Sequence, residues 1–198
     1  MKPHRLLFQQ IFLFCLLFTF SVSGQNKYST SAQTTTTKQL EGDTIYSNLS
    51  IQVNLSKIEN FSIYSRILEL VDFETLTKEK EMVTLFVVPN EAFSHMTEEE
   101  IEVFLALGNR DYLKNTLSYY IIPGRVDEHA IAKAIERGKG SANFKALGGK
   151  NLRFKIEGDT IYLLTGTGSK TRLLQTNFQH SRGFFHLTTD LALSKTQN

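Results

Sequence analysis

The stretch at 84–93, TLFVVPNEAF, limits what this chain can fold into more than any other. Leu85, Phe86, Val87 and Val88 are apolar and mostly β-branched or aromatic, the texture of a strand buried on both faces. Pro89 lacks an N–H and fixes its own φ, so it stops the ladder, and Asn90 is a residue that turns or caps. Ala92 and Phe93 can then drop back onto the core. The unit is a central strand, a sharp corner and an aromatic anchor.

Helical patterns surround it. Ile58, Phe61, Ile63, Tyr64, Ile67, Leu68 and Val71 recur at steps of three and four along one helix face, with Ser56 or Asn60 as caps. Thr97 and Glu100 form a capping box opening a helix over Ile101, Phe104, Leu105 and Leu107. Gly108 ends that helix, and Asn109 is read as the cap of the next, over 110–117. A short β-prone run at 119–122 stops at the Pro123-Gly124 turn, and Asp127 caps a helix at 128–137 that Gly138 closes. Beyond Gly140 the texture changes to strands at 143–147, 151–157, 160–165, 171–176 and 183–188, separated by glycine-rich turns and, after 176, by a longer polar loop. Helices followed by a run of antiparallel strands is an α+β layout.

Three segments, TLFVVPNEAF at 84–93, LSYYIIPG at 117–124 and GFFHLTTDLAL at 183–193, together resemble the conserved blocks of the fasciclin (FAS1) domain family. The first looks like that family's TVFAPTNEAF block, the second like its Tyr-His block ending in Pro-Gly, and the third like its NGVIHVID block. The order and separations fit, so the resemblance runs from residue 40 to 193. Some positions depart from the pattern. Pro89 comes one place late, Tyr120 stands where the family has histidine, and Thr189 stands where it has aspartate, with Asp190 following.

The resemblance implies a FAS1-like fold, an antiparallel β-sandwich or wedge with several short helices packed around it. It also implies extracellular adhesion to matrix or surface proteins or glycans, without a cofactor. On the same basis Phe86, Pro89, Asn90, Ala92, Phe93, Gly183 and His186 are structural motif residues. The expected interaction surface is Tyr119, Tyr120, Pro123, Gly124 and Arg125, because two tyrosines offer flat amphipathic area at low entropy cost. The alternative is that both tyrosines are packed inside.

Export is expected from the N-terminus. Lys2, His4 and Arg5 precede an apolar run at 6–20, too short for a comfortable membrane span, and Ser21-Val22-Ser23-Gly24 suits a signal peptidase. Cleavage after Gly24 would remove Cys15, the single cysteine, leaving no disulfide or thiolate chemistry. It also takes two from the 22 Lys and Arg, leaving 20 against 20 Asp and Glu. That balance gives no footprint for nucleic acid, and membrane association is expected only through export or surface attachment.

Residues 25–39, rich in Ser, Thr and Gln, read as a flexible tether, and 40–195 as the domain. Sequons begin at Asn48, Asn54 and Asn60, and the repeated hexapeptide EGDTIY, at 41–46 and 157–162, reads as convergent turn chemistry, with Thr44 or Thr160 as a sharper idea for O-linked sugar. His95, His129, His180 and His186 form no HxxxH or HExxH spacing, and no Gly-x-Ser-x-Gly elbow is present. No catalytic or metal residue is therefore assigned. An exported small-molecule or polysaccharide carrier with an aromatic-lined pocket is the alternative function, and an exported hydrolase ranks below it.

Overall fold

The structure, a computed structural model, describes residues 34–164 and 170–191. The expected leader at 1–24 and most of the tether lie outside those residues. The chain enters through a hairpin of β1 (Thr37–Leu40) and β2 (Asp43–Tyr46), closed by the first EGDTIY copy. Among the described residues the first element thus begins at Thr37, inside the stretch whose composition reads as tether. Leu40 and Ile45 are fully buried and anchor the hairpin.

Three short helices follow: α1 (Ile51–Leu55), α2 (Ser62–Leu70) and α3 (Phe73–Thr77). The helix expected from Ser56 begins at Ser62, and neither Ser56 nor Asn60 caps it. Phe61 at its N-cap position offers no side-chain acceptor. Asn90 supplies one from 27 residues away, its Oδ1 accepting from Ile63 N–H at 3.1 Å while its Nδ2 donates to Glu59 O and Ser62 Oγ, each at 3.0 Å. The corner after the central strand therefore holds the start of a helix.

That strand is β3 (Val83–Val87), buried at every position. The 3-10 turn Asn90–Phe93 leads to α4 (Glu98–Phe104), opened by the Thr97/Glu100 capping box, and then to α5 (Arg110–Ser118). Asn109 does not cap α5; its Nδ2 instead donates to the carbonyls of Val103 and Phe104 at the end of α4. The remaining elements are β4 (Ile121–Pro123), α6 (Glu128–Arg137), β5 (Ser141–Lys145), β6 (Asn151–Glu157), β7 (Thr160–Leu164), β8 (Lys170–His180) and β9 (Gly183–Thr188). β8 continues to His180 where a polar loop was expected after 176.

Seven strands form one sheet in the order β4-β3-β9-β8-β7-β6-β5. It is mixed rather than wholly antiparallel, because β9 returns beside β3 in parallel, pairing Val83 with Gly183 and Val87 with Leu187. The whole β4-to-β8 excursion is the crossover that such a pair requires. β8 pairs β7 with its first residues and β9 with the rest, slipping register between Leu173 and Phe178, where Asn177 adopts φ +60°.

This bend folds the sheet into a wedge. Phe86 of β3 and Phe154 of β6 have three strands between them in the order, yet their rings meet at 5.4 Å. The two outer strands meet as well. Leu147 N–H donates to Ile121 O and Gly148 N–H to Ser118 O, both at 2.8 Å, joining the β5 end of the sheet to the β4 end. On the opposite face of β3, α2 lies across the strand, and the buried Tyr64 donates its hydroxyl to Phe86 O at 2.9 Å. Burial, and secondarily Tyr120, push the Tyr64 phenol well above its ordinary range.

Candidate functional site

The segment between β4 and α6 is where the expected binding turn lies, and buried side chains from two strands hold it. Thr84 of β3 donates its hydroxyl to Gly124 O at 2.8 Å and accepts from Val126 N–H at 2.9 Å. His186 of β9, fully buried and stacked on Phe86 at 5.4 Å, sits 2.8 Å from Val126 O through Nε2. Its Nδ1 accepts from Asn177 N–H at 3.3 Å, which places the imidazole proton on Nε2. Asn177 in turn accepts Glu128 N–H at 2.7 Å, next to Asp127, which caps α6 through Ala130 N–H at 2.7 Å. One buried histidine thus ties the bulge of β8 to the loop before α6. Burial lowers its pKa to about 4, against a small upward pull from the Val126 carbonyl, so it is neutral at physiological pH.

Gly183 is fixed by contact. Its φ is +138°, and a Cβ there would lie 2.0 Å from Val83 O. Only glycine lets β9 start beside β3. Pro89 and Phe93 are buried and Ala92 is half-buried, with Phe93 packed on Phe104 at 6.1 Å.

The five surface candidates separate. Tyr120 is 3% exposed, so it belongs to the core and is withdrawn from the binding surface. The helical turn ending α5 points it inward, and its carbonyl accepts Phe86 N–H at 3.2 Å. Tyr119 is half-buried, with Lys150 Nζ 4.7 Å above its ring. Gly148 packs under that ring so closely that a Cβ would lie 2.7 Å from it. Pro123 and Arg125 are exposed and Gly124 half-buried, and the Arg125 guanidinium lies 5.0 Å from the ring of half-buried Phe184. β4 therefore carries a cation on an aromatic ring at each end, with Pro123 between them.

Several contributors had little readable signal in the sequence. Asn177 acts through a left-handed bulge and Thr84 through its partner loop. Arg182, in the β8–β9 turn, donates to Thr77 O at 2.7 Å, Thr77 Oγ1 at 3.1 Å and Lys80 O, and pairs with Glu74 at 3.1 Å, capping the C-terminus of α3. The break in alternation at Gln175–Phe178 is the one sequence trace of the bulge.

The other histidines do not converge. His180 is buried in β8, its Nδ1 accepting Arg182 N–H at 3.3 Å, and burial lowers its pKa to about 4. His95 and His129 are exposed. Among the described residues no three His, Cys, Asp or Glu side chains are grouped to hold a metal. The rings that a carrier would offer to a ligand occupy one another's space: Phe154 packs on both Phe86 and Phe144 at 5.4 Å.

A curled mixed sheet with β3 and β9 parallel, an Asn-bearing corner and a buried Gly-x-x-His strand define an α+β domain of the fasciclin type. The chain matches the fasciclin domain over residues 59–191 and belongs to that family. It is 28% identical to human periostin over 128 residues, 65% of this chain but only 14% of periostin. Its fold is similar to that of a FAS1 domain pair from the insect cell adhesion molecule fasciclin I, with a TM-score of 0.60 at 10% identity, covering 79% of this chain and 66% of that one.

Proposed function

We propose that this protein is an exported adhesion module, secreted or held at the cell surface, that uses the β4 rim to contact a surface or matrix protein or glycan. The observation behind this is the rim itself, where Tyr119 under Lys150 and Phe184 under Arg125 flank exposed Pro123. Rings already covered by a cation on one face and half-buried beside the strand are held in place, which lowers the entropy cost of a contact. Family membership, and a structural neighbour that is a cell adhesion molecule, support the same reading. Export rests on the apolar leader and the small residues ending at Gly24.

The test is binding of labelled protein to the producing cells and their matrix, before and after protease treatment of those cells. Saturable binding that Arg125→Glu or Tyr119→Ser lowers at least about fivefold, with thermal unfolding unchanged, is the expected result. Loss after protease identifies a protein receptor, and survival identifies a glycan. Binding unaffected by either substitution would remove the rim from the interaction.

A further inference from the structure

The charges that look interspersed along the sequence are gathered by the sheet. In the β5–β8 half of the wedge, pairing aligns Ser141, Lys155, Tyr162 and Arg172 across the strands, and one row away Asn143, Arg153, Leu164 and Lys170. Lys145 opposite Asn151 completes the same face. Strand alternation sends the intervening residues, Ala142, Leu152, Phe154, Leu163 and Thr171, into the core. The outward face therefore bears five cations, four of them exposed and Lys155 half-buried. Glu157 is the acid on these aligned strand positions, and it is ion-paired with Lys170. Acidic side chains concentrate elsewhere, as in the first turn of α4 with Glu98, Glu99 and Glu100.

We infer that this face is a binding track for an acidic polysaccharide. Neighbouring cations lie about 7 Å apart along a strand and about 10 Å apart across two strands, a two-dimensional grid suited to a linear polyanion rather than to one small anion. Asn143, Asn151 and Ser141, interleaved with the cations, provide donors and acceptors for sugar hydroxyls between the charged groups. Nucleic acid fits less well, because the one ring on the face, Tyr162, is half-buried and covered by Lys170 at 3.9 Å, leaving no platform for base stacking. A lipid surface fits less well too, since the apolar residue in the rows, Leu164, is half-buried and cannot insert. The track ends at Arg172, where Glu128 and Asp159 line a cleft of about 430 Å³ with it and reverse the local charge.

This site is separate from the β4 rim and does not depend on it. The experiment measures binding of the full-length protein to immobilised heparin, polygalacturonate, neutral dextran and a short single-stranded DNA over a range of salt. Expected are binding to heparin that weakens steeply with salt, none to dextran, and weaker binding to DNA than to heparin. Binding to polygalacturonate as well assigns recognition to charge alone, whereas binding to heparin only assigns it to sulfate. Arg153→Glu with Lys155→Glu should weaken heparin binding at least about tenfold, while the exposed α6 control Lys133→Glu with Arg137→Glu changes it less than about threefold. Circular dichroism and thermal unfolding establish that each variant is folded, and Lys145→Glu with Lys170→Glu is the second pair should the first not fold. Equal binding by a folded sheet variant, or DNA bound as tightly as heparin, overturns the inference. Arg125→Glu leaves heparin binding within about threefold, so the rim and the track can fail independently.

Discussion

Lowering the pH from about 7 to about 5 should remove a large part of the stability, through His186 and His180. Both are buried and neutral, with pKa lowered to about 4, whereas an unfolded histidine titrates near about 6.5. A base whose pKa falls on folding makes the unfolded state the better proton acceptor. Stability is therefore full above about 6.5, declines as pH falls through the interval, and levels off below about 4. At about pH 5 linkage gives about 2 kcal/mol for each histidine and about 4 kcal/mol for the pair. With a urea dependence of about 2 kcal/mol per molar, the midpoint should fall by about 2 M. Asp72 and Glu102, held below their usual range by hydrogen bonds from Thr75 and Arg66, add to the acid loss mainly below this window, because an unfolded carboxylate titrates near about 4. The assay is urea denaturation followed by circular dichroism at both pH values, for the native chain and His186→Gln. Glutamine can still donate to Val126 O but does not titrate, so about half of the acid loss should disappear. A midpoint moving less than about 0.5 M between the two pH values would refute the buried, neutral assignment.

Gly183→Ala should prevent folding or cost more than about 3 kcal/mol, measured by thermal melting, because its Cβ would meet Val83 O at 2.0 Å in a left-handed backbone. Arg182→Met keeps the aliphatic stem but strips the guanidinium bonds to Thr77 at the end of α3 and to Lys80 O just beyond it, and chemical denaturation should show a loss of about 2 kcal/mol. Thr84→Val preserves shape but strips both bonds to the Gly124–Val126 loop, with an expected cost of about 2 kcal/mol and faster amide exchange at Val126. Gly148→Ala should displace the Tyr119 ring and weaken adhesion before it affects the melting temperature by more than about 5 °C.

The sequence was readable where local chemistry decides structure. The Thr97 box and Asp127 cap formed as expected, because each satisfies donors within three residues of itself. β6 is bounded by the expected residues because its alternation and flanking glycines agree. What escaped depends on distant partners. Asn109 and Asn90 are both plausible caps in isolation, yet Asn109 bonds backward to α4 and Asn90 serves a helix that precedes it by nearly thirty residues. Tyr119 and Tyr120 are adjacent and chemically equal, and only the direction of the last turn of α5 decides which one reaches solvent. The basic face was equally hidden, since a balanced total carries no information about which side of a strand each lysine occupies.

The seam in which Leu147 and Gly148 bond to Ile121 and Ser118 also bears on how the protein behaves when crowded. An open sheet would present two unpaired borders, each a template onto which a neighbouring molecule could add a strand. Here the chain just past β5 bonds to Ile121 and Ser118, so the two ends of the sheet lie against one another and leave a crowded neighbour less backbone to recruit. A lesion that parts the seam would release both borders at once. Its first symptom would be fibrillar or amorphous deposit rather than lost adhesion, appearing at protein concentrations where the intact chain stays dispersed.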